Sequence, residues 1–337
     1  MSTTQVASFS TAQLQALNAS QIGALGSANF GALNTSQVQA LGSTQLAGLT
    51  ASELGGLSTT VLGEFAAGQI GSLTASQIGA LGTNVANLTA GELGNLTGAQ
   101  ARGLTTTQLA GITSTALNNL STNAIGALSA AQVGALTTTN LSNLTSTVVH
   151  SLTTAQIGSL SAGSLASLAL NQLTTTQIGG LTAAQIRGLG GGSVGQLAAN
   201  IGSFTSTQIG ALSTTNLNSL GATSIDGLAT TQVSGLTTSQ LAALSTTVVS
   251  NFSTAQLQAL NASQIGGLST SAIAVLTTTE ATALLTTQIP GLTTAQIGQL
   301  TTTNMSSMST TQLAALTPTQ VQSMSQQQID AYVLKVG

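Results

Sequence analysis

A large apolar residue recurs every eight positions along the chain. From Phe9 the series runs Leu17, Leu25, Leu33, Leu41, Leu49, Leu57, Phe65, Leu73 and Leu81, and it resumes after each irregularity to reach Met308, Leu316, Met324 and Tyr332. A second apolar residue follows five places after the first, as in Leu292-Thr-Thr-Ala-Gln-Ile-Gly-Gln-Leu300. Numbering the leading apolar residue 0, the unit reads Leu, Thr/Ser, Thr, any, Gln, Ile/Leu, Gly/Ala, any. An internal repeat of this kind governs the whole fold, and about forty-two units fill the 337 residues.

In a strand, positions 0 and 5 would point to opposite faces, because side chains alternate with period two. As a helix the unit makes better sense. Thr or Ser at position 1 is a preferred N-cap, and Gln three residues later completes a capping box. The apolar residues before the cap and at the fourth helical position then form a hydrophobic staple. Three of the four Glu residues, Glu53, Glu92 and Glu280, occupy the Gln slot, and Glu is the other residue a capping box accepts. Pro318 follows Thr317 directly, at the first helical position, where proline is favoured. Against a helix stand the many Gly at position 6, each costing about 1 kcal/mol relative to Ala, and Pro290 in the same slot. Close helix-to-helix approach would rationalise the glycines.

The pattern therefore predicts an all-α solenoid of very short capped helices, one per octapeptide. A β-solenoid, favoured by the abundant Thr, Ile and Val, is the alternative. Two buried aliphatic side chains cannot offset the entropy of ordering eight residues, so stability has to come from stacked neighbours. Residues 1–337 read as a single octapeptide-repeat solenoid with irregular units at 81–88, 168–173 and 197–204. The first and last of these are one residue short and the middle one three short. The stretch FSTAQLQALNASQIG occurs identically at Phe9–Gly23 and Phe252–Gly266, which implies duplication within the array.

Composition narrows the function. Charged residues are 3% of the chain and aromatics 2%, with no Cys or Trp, so the surface has to be hydroxyl and amide. Disorder is not expected, because 42% of residues are apolar and the formal net charge is only −3. Three basic residues, Arg102, Arg187 and Lys335, offer no footprint for nucleic acid or an anionic membrane surface. No apolar run is long enough for membrane insertion, and residues 1–25 lack the basic start and apolar core of a secretory signal peptide.

Motifs that could carry chemistry are few. Gly190-Gly-Gly-Ser-Val-Gly195 satisfies both the dinucleotide pattern G-x-G-x-x-G and, from Gly191, the nucleophile-elbow pattern G-x-S-x-G. Leu189 and Val194 continue the octad instead, so the stretch reads as a Gly-rich unit. His150 is the only histidine, which leaves no ordinary metal site and makes a surface position the expectation. The acids Glu53, Glu64, Glu92, Asp226, Glu280 and Asp330 are scattered without a calcium signature; capping accounts for three and surface placement for the rest. Arg102 and Arg187 are expected to be solvated. Sequons such as Asn18-Ala-Ser20 and Asn143-Leu-Thr145 arise by chance in so polar a chain. No catalytic, cofactor-binding or metal-binding residue is expected, and the chain does not read as an enzyme, since proton-transferring groups are nearly absent.

The motif Leu-Thr-Thr-x-Gln-Ile-Gly-x resembles the octapeptide-repeat regions of large proteobacterial surface proteins described as adhesin-like or structural. That resemblance spans essentially the whole chain and implies a bacterial, extracellular or cell-surface location with no catalytic residues to carry over. Locally, Leu316-Thr-Pro-Thr-Gln-Val321 is similar to the opening helix of TAL-effector repeats. Those repeats are far longer and DNA-directed, so the eight-residue period and the lack of basic residues here argue against a shared function.

The octad continues to both ends with no charged capping unit, so the expected function is an extracellular structural protein. It would assemble with copies of itself, head to tail, into a filament or surface layer. The alternative is an adhesin stalk or a module whose Thr-rich face binds a repetitive surface such as polysaccharide or ice.

Overall fold

The computed structural model describes residues 1–336. By its internal contacts the chain divides into two compact units, Met1–Gly180 and Leu181–Gly337. Both are built only from short helices, and the described residues contain no strand, so the β-solenoid alternative is set aside. Apart from the last helix, Gln326–Val336, the α-helices run for four to seven residues, one per octad.

The local chemistry is that of the capping box. In the unit opened by Leu152, Thr153 Oγ1 accepts from the Gln156 amide at 3.2 Å, and the Thr153 amide donates to Gln156 Oε1 at 2.7 Å. The helix then runs only from Thr154 to Gly158. Its ends close on themselves: the Ile157 amide donates to the Thr153 carbonyl at 3.0 Å and the Leu160 amide to the Ile157 carbonyl at 3.1 Å. Two extended residues, Leu152 (φ −68°, ψ 132°) and Thr153 (φ −74°, ψ 158°), turn the chain into this helix. That corner needs no left-handed residue, which is why Leu-Thr suffices at nearly every unit. Glu53, Glu92 and Glu280 complete capping boxes in place of Gln, and Pro318 opens the helix after Thr317.

Positions 0 and 5 both point inward, as with Leu57 and Ile70 in the first unit and Leu236 and Ile265 in the second. Helices three elements apart pack together: Gly98–Gly103 lies against Thr122–Ala127 in the first unit, and Thr238–Ala243 against Ala262–Gly267 in the second. Within each unit the chain thus winds into coils stacked on one another.

All three short units are 3-10 helices: Gly82–Asn87, Leu170–Gln172 and Ala198–Ser203. A 3-10 helix rises about 2.0 Å per residue against 1.5 Å for an α-helix, so fewer residues cover the same edge of the coil. A fourth, Ile289–Gly291, has full octad length and contains Pro290. There Leu285 stands in the cap slot without a hydroxyl, and the proline ring removes the amide an α-helix would use. The tighter Gly291-to-Gln288 and Leu292-to-Ile289 bonds, 2.9 and 3.1 Å, accommodate both departures.

The position-6 glycines divide into two kinds. A Cβ on Gly23 would sit 2.4 Å from the Gly48 carbonyl oxygen, and one on Gly48 would sit 2.0 Å from that of Ala19. Gly79 with Gly103, Gly210 with Gly235 and Gly266 with Gly291 repeat this mutual approach between coils. At Gly71 and Gly134 a Cβ would meet nothing within 4 Å.

Candidate functional site

The repeated arrangement with most chemistry in it is a ladder of position-4 glutamines. In Gln156 the side-chain oxygen caps its own helix while Nε2 donates to the carbonyls of Ile125 and Leu128, both at 2.8 Å. These acceptors lie 31 and 28 residues earlier, at positions 5 and 0 of the coil below. Twenty-eight residues are three and a half octads, so each mid-unit glutamine reaches a corner of the coil below. Gln77 makes the same pair of bonds to Leu46 and Leu49, and in the second unit Gln240 does so to Ile209 and Leu212. One buried amide thereby bonds three backbone groups and uses both of its own donors.

The short units fit the same ladder. Across the unit lacking one residue, Gln100 reaches Leu73, only 27 residues back. Across the unit lacking three, Gln177 reaches Leu152 at 25. The missing residues come out of the coil circumference, and the rungs stay in place.

Other residues at position 4 make weaker rungs. Asn140, Asn216 and Asn304 are one methylene shorter and donate to a single carbonyl, those of Ile112, Leu189 and Leu276. Glu53 works in reverse: its Oε1 accepts from the Gly26 amide at 3.0 Å, while Oε2 caps Thr50.

A second set of bonds runs along the outside at position 6. Gln15, Asn118 and Gln258 donate to the carbonyls of Ala40, Asn143 and Ala283, each 25 residues onward. Arg102 Nε takes the same route to the Ala127 carbonyl at 3.2 Å, and His150 Nε2 lies 2.8 Å from the Gln172 carbonyl. His150 is thus on the surface as expected, while Arg102 is exposed yet tied to a neighbouring coil. Arg187 is exposed.

The first coil differs from those above it. Gln5, Gln13 and Gln21 cap their helices through Oε1, but all three are exposed and Nε2 has no partner among the described residues. From Gln37 onward the position is largely buried, with Gln37 itself reaching Ala7 and Phe9 at 3.0 and 2.7 Å.

Of the acids without a capping role, Asp330 accepts from Gln326 at 2.9 Å, and Glu64 carries a buried Oε2 without a partner. Residues 190–195 form neither a dinucleotide loop nor a nucleophile elbow. Gly190 caps a helix, Gly191–Leu197, with no strand leading into it, and Val194 and Leu197 enter the core. Among the described residues no three His, Asp or Glu side chains gather closely enough to hold a metal ion, and no helix is long and apolar enough to cross a membrane. What the arrangement offers is recognition of backbone carbonyls by amide donors. Sequence reading missed this second role of the glutamine, because a capping box accounts for Gln on its own.

Stacked short helices joined by such a ladder define a helical repeat protein. The ALTTAQ repeat family model is similar to this chain at three places, residues 21–51, 117–146 and 236–270. No curated protein matches it.

Proposed function

We propose that this chain is an extracellular structural protein that assembles with copies of itself, head to tail, into a filament or surface layer. The observation that carries the reading is the ladder itself. Each coil binds the one below through side-chain donors and main-chain acceptors, so any coil presents what any other coil can bind. A stack of this kind propagates in one direction, and a heterologous interface repeated without closure makes an open fibre. The sparse charge supports the reading, since little electrostatic repulsion opposes close contact between copies. The absence of Cys and the resemblance to bacterial surface-protein repeats favour an exported location.

Electron microscopy of the purified chain across a concentration series, at neutral pH, tests the proposal. Ordered fibres or sheets above a threshold concentration are expected. Monodisperse single particles at every concentration would overturn it.

A further inference from the structure

We propose that Glu92 and Glu280 each hold a calcium ion between their own carboxylate and the main-chain carbonyls of the coil below. The assignment is independent of the assembly reading above.

The argument starts from what a glutamate does in the ladder. Both residues cap their helices through Oε2. That of Glu92 accepts from the Thr89 amide and hydroxyl at 2.6 and 2.8 Å, and that of Glu280 from the same groups of Thr277 at 2.7 and 2.8 Å. Oε1 then stands where a glutamine carries Nε2. The neighbouring rungs fix what lies beneath it. Gln100, one octad after Glu92, donates to carbonyls 30 and 27 residues back, and Gln288, one octad after Glu280, to carbonyls 31 and 28 residues back. The same offsets set Glu92 over the carbonyls of Leu62 and Phe65, and Glu280 over those of Val249 and Phe252.

Glu53 has a donor of its own where the other two have none. Its Oε1 meets the Gly26 amide, turned toward it by a φ of 78°. At the matching positions Ala66 and Ser253 have φ −73° and −67°, and their amides are taken by Gln69 and Gln256 Oε1 at 2.9 and 2.8 Å. Among the described residues Oε1 of Glu92 and of Glu280 accepts no bond, and nothing donates to the Phe65 and Phe252 carbonyls. Yet the two glutamates are only 5% and 6% exposed.

A carboxylate buried to that degree among carbonyls is costly without a counter-charge. None of the three basic residues bonds to either one: Arg102 is tied to the Ala127 carbonyl, and Arg187 and Lys335 are exposed. A carboxylate oxygen set against two carbonyl oxygens is instead a donor set for a hard cation. Calcium accepts carboxylate, main-chain carbonyl and water oxygens in irregular geometry. Main-chain oxygens here take the part that a cluster of acidic side chains plays elsewhere. Glu64, next to Phe65 in the chain, adds negative charge beside the first site, which makes it the tighter of the two.

Calcium binding by the metal-free chain, followed by isothermal titration calorimetry and by thermal unfolding at constant ionic strength, tests this. Wild type should take up about two ions per chain, and its melting temperature should rise with calcium concentration. Glu92→Gln and Glu280→Gln together restore the glutamine of the other rungs, cap included. The double variant should bind no calcium and melt at the same temperature with or without it, at or above metal-free wild type. Each single variant should bind half as much as wild type, which keeps the test decisive if the double variant misfolds. Wild type that neither binds calcium nor responds to it would overturn the assignment, as would binding that survives both substitutions. Wild type stabilised by acid but indifferent to calcium would overturn it too, with a proton as the missing partner.

Discussion

Glu53 and Gly26 form a rung of inverted polarity, with the carboxylate accepting from the glycine amide at 3.0 Å where a glutamine elsewhere donates to a carbonyl. The inversion has a backbone cause. Gly26 has φ 78°, so the Leu25–Gly26 peptide presents its N–H toward the coil above. Only glycine adopts that conformation at little cost. The two departures from consensus, Glu for Gln and Gly for Thr, thus belong together although 27 residues separate them.

This pairing predicts that Glu53→Gln destabilises the first unit. Its amide oxygen is needed by Thr50, which leaves Nε2 facing the Gly26 N–H, donor against donor. A cost of about 1–3 kcal/mol is expected for a buried group left unpaired. Thermal unfolding followed by circular dichroism measures it, and a variant as stable as wild type would refute the inverted rung.

Gln156→Glu exchanges the same two residues in the opposite sense. The capping bond to the Thr153 amide survives, while both donated bonds to Ile125 and Leu128 are lost. Two buried carbonyls then lose a donor each, for a loss of about 2–5 kcal/mol. Native-state hydrogen exchange at the Ile157 and Leu160 amides should accelerate, and unchanged protection would show that the ladder contributes nothing.

Glycines divide by neighbour. Gly291→Ala would place Cβ 2.1 Å from the Ala262 carbonyl oxygen, forcing two coils apart. Gly134→Ala meets nothing within 4 Å inside a helix and should stabilise by about 0.5–1 kcal/mol. Melting temperatures of the two variants should move in opposite directions.

Ala229 occupies a cap slot without a hydroxyl, so only half of the box remains, the Ala229 amide donating to Gln232 at 2.8 Å. Ala229→Ser should restore the other half and add about 0.5–2 kcal/mol. A denaturation midpoint that fails to rise would count against the cap as the source of local stability.

Much of this architecture could be read from residue spacing. Positions 0, 1, 4 and 5 specify a staple and a capping box, and those rules are local, so one helix per octad followed from the sequence. The three short units were visible as breaks in the count, and each is a 3-10 helix. What remained hidden depends on the coil circumference. No local rule says that a unit meets the chain 28 residues earlier, so the second role of Gln156, the Gly23–Gly48 contact and the link between Glu53 and Gly26 could not be foreseen. Pro290 resisted explanation for a related reason, since its octad keeps the coil by exchanging one kind of helix for another.

Because the rungs end on main-chain oxygens, a coil makes almost no demand on the identity of the side chains beneath it. Point substitutions in one coil need no compensating change in the next, and whole octads can be copied elsewhere with their contacts intact. The two identical stretches illustrate this. Gln15 and Gln258 bond to carbonyls at the same offset of 25 residues, and Gly23 and Gly266 each approach a glycine at that offset, although the sequences around those partners differ. Only matched exceptions such as Glu53 with Gly26 have to be inherited as a pair, so an insertion or deletion falling between them would be the kind that selection removes.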